Sequence, residues 1–320
     1  MTRPSVLAVV GPTAAGKSDL AVELALRLHG EVVNADSMQV YRGMDIGTAK
    51  LPLAERGGVR HHVVDVLDVG ETATVAEFQQ RARSAIADCH DRDVLPVVVG
   101  GSALYIRAIL DRFEFPGTDP AIRGRLEDEL ARAGAERLHA RLAELDPAAA
   151  AGILPTNTRR IVRALEVVEL TGRPFTASLP AYEYAFPDVC QVGLDVPRDV
   201  LDERIRERVD RMWDAGFVAE VRRLDAAGLR TGLTAARALG YSQVLAFLAG
   251  ECTEQEAKES TVRATRRFAR RQDSWFRRDP RIHWLPYDAP DLVNRAVDRA
   301  AGRAAGSTAH DAVDNAPDLG

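Results

Sequence analysis

The chain has 320 residues, 46% hydrophobic and 28% charged, which suits one large globular domain or two smaller ones. A formal net charge of −5 excludes a uniformly basic protein, so any nucleic-acid surface has to be local. Cys89, Cys190 and Cys252 lie far apart with no C-x-x-C pair, which argues against a zinc knuckle or a disulfide framework. The N-terminal apolar run is too short for a signal peptide or a membrane span, so a cytoplasmic protein is expected.

The first predicted strand, Val6–Val10, runs into Gly11-Pro12-Thr13-Ala14-Ala15-Gly16-Lys17-Ser18. A helical segment over 19–29 follows, with Leu20, Leu24 and Leu28 on one face. Strand, G-x-x-x-x-G-K-S and helix in that order form a phosphate-binding loop. Gly11 and Gly16 let the backbone curl with its N–H groups inward, and the helix N-terminus adds partial positive charge. Lys17 reaches terminal phosphate oxygens, and the Ser18 hydroxyl is a ligand for Mg2+. The loop specifies a polyphosphate without saying which one.

A strand over 31–35 leads to Asp36, followed by Ser37, Met38 and Gln39. Residues just past a strand's carboxyl end in a parallel sheet face the ligand crevice. A carboxylate beside polyphosphate holds a metal or takes a proton, or else Asp36 is a helix N-cap or turn residue. The segment 43–50 reads as a glycine-bearing loop whose Lys50 either adds charge to the cleft or is solvated. His61 and His62 lie in a strand candidate over 61–66 and point to opposite faces, so they do not easily share a metal.

A helix over 75–92 and a strand over 94–99 end at Gly100-Gly101-Ser102. P-loop NTPases commonly carry an Asp there. Here a hydroxyl at a helix start suits a phosphate oxygen, with a plain N-cap as the alternative.

Strand signals stop near 116 and resume at 189. Helices over 120–133, 135–145 and 158–170 fill the interval, which predicts an all-helical insertion over 117–188 inside a core of 1–116 and 189–288. The tail, 289–320, is expected to be partly disordered. Arg159, Arg160 and Arg163 can form a cationic face in the insertion, or pair with Glu166 and Glu169. A helix over 199–216 carries Arg204 and Arg208 one turn apart, as a phosphate lid or as partners of Asp202, Glu203 and Glu207. The segment 261–281 is rich in arginine and interleaved with aromatic residues. It is the local candidate for an RNA surface, unless its aromatics simply pack inward. The expected fold is α/β: a P-loop NTPase-like parallel sheet flanked by helices, with the helical insertion and an Arg-rich C-terminal helical region.

Taken together, the segments 11–18, 34–41, 43–50, 100–105, 157–164 and 239–241 resemble the tRNA dimethylallyltransferases of bacterial form, over about residues 5–286. Ser102 stands where many members have Thr. The resemblance implies transfer of a dimethylallyl group from dimethylallyl diphosphate to N6 of adenine 37, in a tRNA anticodon stem-loop of A36-A37-A38 type. Mg2+ is the implied cofactor, and a monomer the expected state. Asp36 is the implied base, with Lys17, Ser102, Arg208 and the loop N–H groups on the diphosphate and Mg2+ on Ser18. RNA contacts are implied for Asp36, Ser37, Met38, Gln39, Ser102, Gly240 and Tyr241. They are implied also for Arg123, Arg159, Arg160 and Arg163 in the insertion, and for Arg270, Arg271, Gln272 and Trp275 in the Arg-rich helix. The rival readings are a P-loop kinase, a transferase acting on free adenine nucleotide, and a non-catalytic RNA-binding ATPase.

Overall fold

The computed structural model describes residues 3–113, 115–175 and 181–302. The chain divides into two compact units, one running up to Asp111 and again from Tyr184 onward, the other Arg112–Glu183.

The first unit is built on a six-stranded sheet in the order β3-β2-β4-β1-β5-β6, with every pair parallel. The strands are β1 Val6–Val10, β2 Gly30–Asn34, β3 His61–His62, β4 Leu95–Gly100, β5 Val189–Asp195 and β6 Ile282–Pro286. β1 is central and wholly buried, which is why it reads as an uninterrupted apolar run. Val6, Ala8 and Val10 face one core with Phe78, Ile86 and Ile109. Leu7 and Val9 face the other with Leu20, Leu24 and Val97. The flanking helices are α1 Lys17–Leu28, α2 Val75–Asp91, α3 Ala103–Leu110, α8 Arg198–Asp214, α9 Phe217–Ala226, α10 Tyr241–Leu248, α11 Glu254–Phe276 and α12 Leu292–Ala300.

The second unit contains α4 Pro120–Ala133, α5 Ala135–Leu145, α6 Pro147–Gly152 and α7 Thr158–Thr171. Leu126, Leu138, Leu142, Ile161 and Leu165 form its own core. Its helix starts are set locally. Asp119 caps α4 ahead of Pro120, Asp146 caps α6 ahead of Pro147, and Asn157 caps α7.

Four features differ from the sequence expectation. β3 stops after two residues because Val63 and Asp65 take positive φ, which no strand accommodates. The short α6 and the helix α9 carried no separate sequence signal. The Arg-rich helix begins at Glu254, earlier than expected, behind a capping box of Thr253 and Glu256. Beyond it the chain forms β6 and then α12, whose Ala296 and Ala300 pack into the core beside α1. The expected tail therefore contains a helix, and the stretch from 306 lies outside the described residues.

Candidate functional site

β1 delivers the chain into the loop at the middle of the sheet. Gly11 at φ 139° and Gly16 at φ 97° occupy backbone regions that glycine alone enters freely, and Ala14 sits at φ 63°. Gly16 opens α1 without a side-chain cap, so the first-turn N–H groups remain available to an anion. Lys17 Nζ folds back to donate to the Pro12 carbonyl at 2.7 Å. Burial, then repulsion from Arg208, pulls the Lys17 pKa down to about 7, against the attraction of Asp36. Burial likewise lowers the Arg208 pKa, again opposed by Asp36. Thr13 is held twice: its N–H donates to Gln272 Oε1 at 2.9 Å, and its hydroxyl accepts from Arg208 at 3.3 Å. A cleft of about 720 Å³ opens over Gly16, Lys17, Ser18, Arg204 and Arg208. Arg208 reaches the loop itself, whereas Arg204 stacks over Tyr287 at 4.4 Å.

Asp36 lies past the end of β2 in a turn, not at a helix N-terminus. Buried Asn34 brackets it, accepting from the Asp36 N–H and donating to its carbonyl, both at 2.9 Å. Asp36 Oδ1 accepts from the Met38 N–H at 2.8 Å. Oδ2 has no partner among the described hydrogen bonds. The side chain lines a cavity of about 350 Å³ with Thr13, Ser37, Met38, Ser102, Arg208, Gly240, Arg271 and Gln272, walled by Ile205, Met212, Phe217 and Phe268. Ser102 occupies the N-cap position of α3 but makes no capping bond, so its hydroxyl is left for the cavity. One cavity thus unites a carboxylate, a hydroxyl, a residue of the glycine-rich loop and Arg208 with an apolar wall.

A family model described as IPP transferase matches residues 39–279. The chain belongs to the IPP transferase family. It is 68% identical over 297 residues to the tRNA dimethylallyltransferase of Thermobifida fusca, covering 91% of this chain and 93% of that one. With the Streptomyces avermitilis tRNA dimethylallyltransferase it shares 65% over 290 residues, again covering 91% and 93%. The crystal structure of the Bacillus halodurans tRNA isopentenylpyrophosphate transferase matches at TM-score 0.69 and 39% identity, covering 93% of this chain and 96% of that one. A eukaryotic dimethylallyltransferase acting on tRNA matches at TM-score 0.82 and 26% identity, covering 95% and 81%.

Several residues of this IPP transferase act in ways the sequence did not disclose. Glu220 on α9 is buried, and its Oε2 accepts from the N–H groups of Asp45 and Ile46 at 3.1 and 2.8 Å. Its Oε1 accepts from Gly47 N–H at 3.2 Å and from the Tyr241 hydroxyl at 2.6 Å. Gly47 is packed so closely that an added Cβ would sit 2.2 Å from the Phe217 ring. Lys50 neither faces the cleft nor is solvated. Its ammonium is buried between Asp45 and Asp65, 2.6 Å from each. Gln39 joins the same loop by donating to Thr48 O at 3.2 Å. Tyr241 is fully buried against Phe217, so its side chain cannot touch a ligand, and the turn presents Gly240 instead. Nothing in the spacing around Glu220 distinguishes it from an ordinary surface-helix glutamate.

Many of the arginines serve the fold. In the second unit Arg123 and Arg163 both donate to fully buried Glu166, at 2.6 and 2.8 Å. Burial alone would raise the Glu166 pKa, and these two partners bring it below its usual value. Arg163 also donates to the carbonyls of Pro116 and Gly117. Arg159 and Arg160 are exposed. Around α11, Arg266 donates to Asp202 O, Arg277 pairs with Asp195 and Asp273, and Arg281 pairs with Asp111 and Asp279. Arg270 lies 3.6 Å from Asp202. Arg267, Arg271 and Trp275, spaced four apart, form an exposed stripe on α11. Phe276 is core and Gln272 is buried.

Among the described residues one group has metal-ligand composition: Glu31, His62 and Cys89. Arg92 occupies it, donating to both Glu31 oxygens at 2.7 Å and holding that carboxyl down at about pKa 2. Burial keeps the Cys89 thiol up at about 11, the opposite of a thiolate ligand. His61 turns instead to the Val59 carbonyl at 2.9 Å. Ser18 is the better match for a hard cation. It is exposed in the first turn of α1, it borders the cleft over Lys17 and Arg208, and its hydroxyl has no partner among the described hydrogen bonds.

Proposed function

We propose that this chain transfers a dimethylallyl group from dimethylallyl diphosphate to N6 of adenine 37 in tRNAs of A36-A37-A38 type. The observation that carries the reading is the single cavity in which Asp36 and Ser102 meet Thr13 and Arg208 of the phosphate site. An exocyclic adenine amine is a poor nucleophile because its lone pair is delocalised. Asp36 Oδ2 accepts an N6 proton as the C–N bond forms. The allylic C–O bond breaks and the electron pair leaves on diphosphate. Lys17, Arg208, the Ser102 hydroxyl and the first-turn N–H groups of α1 neutralise that charge. Ser18 would hold Mg2+, which would supply further positive charge toward the diphosphate. The apolar wall of Ile205, Met212, Phe217 and Phe268 suits the isoprenoid and excludes water.

The adenine leaves its stack to enter the cavity, between Asp36–Met38 on one side and the Gly240 turn on the other. Arg267, Arg270, Arg271 and Trp275 on α11, with Arg159 and Arg160 of the second unit, are proposed to contact the RNA backbone, positioning it without reading sequence. A tRNA substrate implies a cytoplasmic enzyme. Among the described residues no helix is long and apolar enough to cross a membrane.

The test is mass spectrometry of nucleosides from an A36-A37-A38 stem-loop incubated with the chain, Mg2+ and dimethylallyl diphosphate, without ATP. One dimethylallyl group on a single adenosine is the expected result. Prenylation of free AMP with an unmodified stem-loop would replace this reading by the adenylate-type one, and ATP turnover alone by a kinase.

A further inference from the structure

Gln272 lies on α11, flanked in sequence by the exposed Arg271, and by sequence alone it belongs with the RNA-facing residues. Its surroundings point elsewhere. The residue is 7% exposed. Its Oε1 accepts the Thr13 N–H at 2.9 Å, and Thr13 lies inside the phosphate loop. Its amide nitrogen lies against the β4–α3 turn, so closely that a Cβ on Gly101 would come within 2.4 Å of it. The same Cβ would stand 3.5 Å from the Gly11 carbonyl, so loop and turn approach each other where Gln272 is wedged. That turn ends in Ser102, the cavity's hydroxyl.

We infer that Gln272 is a positioning residue for the diphosphate site: one side chain from α11 sets the spacing between the phosphate loop and the Ser102 turn. The inference rests on the reading of this loop as a diphosphate site. The chemistry suits the role. A neutral amide oxygen satisfies a loop N–H without adding negative charge beside an anion, which a carboxylate would do. The amide is also large enough to fill the gap that glycine leaves at 101. With Thr13 anchored at its backbone by Gln272 and at its hydroxyl by Arg208, the loop is held in shape before any phosphate arrives.

The test compares Gln272→Leu and Gln272→Glu with the unsubstituted chain, measuring the affinity for inorganic diphosphate by calorimetry in the absence of RNA. KM for dimethylallyl diphosphate and KM for the stem-loop are then measured separately. Leu removes the acceptor and is expected to weaken diphosphate binding about tenfold. Glu keeps the acceptor but adds charge, and is expected to weaken diphosphate binding at least as much. In both, KM for dimethylallyl diphosphate rises in step while KM for the stem-loop stays within twofold. Gly101→Ala, which pushes a methyl into the amide from the opposite side, is expected to give the same signature and covers the case in which a Gln272 variant fails to fold. Unchanged diphosphate affinity with a raised stem-loop KM would make Gln272 an RNA contact and overturn the inference, as would no change in either. Diphosphate binding is read without RNA, so a chain that prenylates no stem-loop would overturn the proposed function while leaving this result readable.

Discussion

The two ends of the cavity handle charge in opposite ways. At the phosphate end Lys17 and Arg208 have no carboxylate partner among the described ion pairs, and burial lowers the pKa of both. At the acceptor end charge is spent internally: Glu220 is saturated by three backbone N–H groups and the Tyr241 hydroxyl, and Lys50 by Asp45 and Asp65. An end that awaits an anion keeps uncompensated cations, at a cost to the empty protein. The end proposed to shape a flat base uses its charges to fix its own backbone. Asp36 stands where the two meet, attracting both cations of the first end while belonging by chain position to the second.

The largest expected effect tests that junction. Asp36→Asn keeps the side chain's size and an acceptor oxygen for the Met38 N–H, and removes the proposed base. Single-turnover measurements should show the chemical step slowed by about 10²–10⁴-fold, with stem-loop binding by filter retention unchanged. Loss of binding with an intact chemical step would assign Asp36 to RNA recognition instead.

Next in size is Lys17→Met, with kcat/KM reduced by about 10²–10³-fold. This substitution also tests whether the empty phosphate end carries a cost. The Lys17 pKa of about 7 lies below the unfolded value, so the charged lysine destabilises the empty fold at low pH. That penalty fades as pH rises through about 7 toward the unfolded value. Ligand-free Lys17→Met should therefore melt higher than the parent chain at pH 6, with the difference shrinking by pH 9. Diphosphate reverses the sign by favouring the charged lysine. Binding to the parent chain should take up a proton above pH 7 and weaken as pH rises, a dependence that the Met variant loses.

A smaller effect is expected from Glu220→Gln, at the acceptor end. The amide presents one acceptor oxygen where the carboxylate had two, and turns an NH2 toward buried donors. The expected cost is about 2 kcal/mol in denaturant unfolding. KM for the stem-loop should rise severalfold while affinity for inorganic diphosphate stays put. Equal damage to diphosphate binding would show that the two ends are not built independently.

The phosphate end was legible in the sequence because its chemistry is local: one loop between one strand and one helix carries Gly11, Gly16, Lys17 and Ser18. Asp36 and Ser102 were legible through parallel-sheet topology, which brings strand ends to one crevice. The acceptor wall was not. Glu220 acts across more than 170 residues of chain on the N–H groups of Asp45–Gly47, and no periodicity encodes such a partnership. Lys50 and Arg123 looked free because sequence shows charge but not the buried carboxylates that claim it, whereas Glu166 was already one of the two readings open for Arg163. Gln272 was assigned by its neighbours along the helix, while its own direction is inward. β6 and α12 were missed because the strand is short and follows an arginine run, and the helix spans only nine residues.

Arg271 is the exception at the acceptor end, and the smallest effect is expected there. It lines the cavity, is exposed, and has only the Phe268 ring within 6.0 Å as a described partner. By the logic of the phosphate end, an unspent cation awaits an anion, and the proposed function supplies one, an RNA phosphate. Arg271→Ala should weaken stem-loop binding only a few-fold but lower the slope of log affinity against log salt by about one. Arg281 provides the contrast. Its guanidinium already serves fully buried Asp111 and nearly buried Asp279. Arg281→Ala should cost stability and leave the salt slope unchanged, because a cation spent inside the protein releases no counterion from the RNA. If the two variants gave equal slopes, the division of arginines into spent and unspent would fail at the one place where a partner outside the chain can report on it.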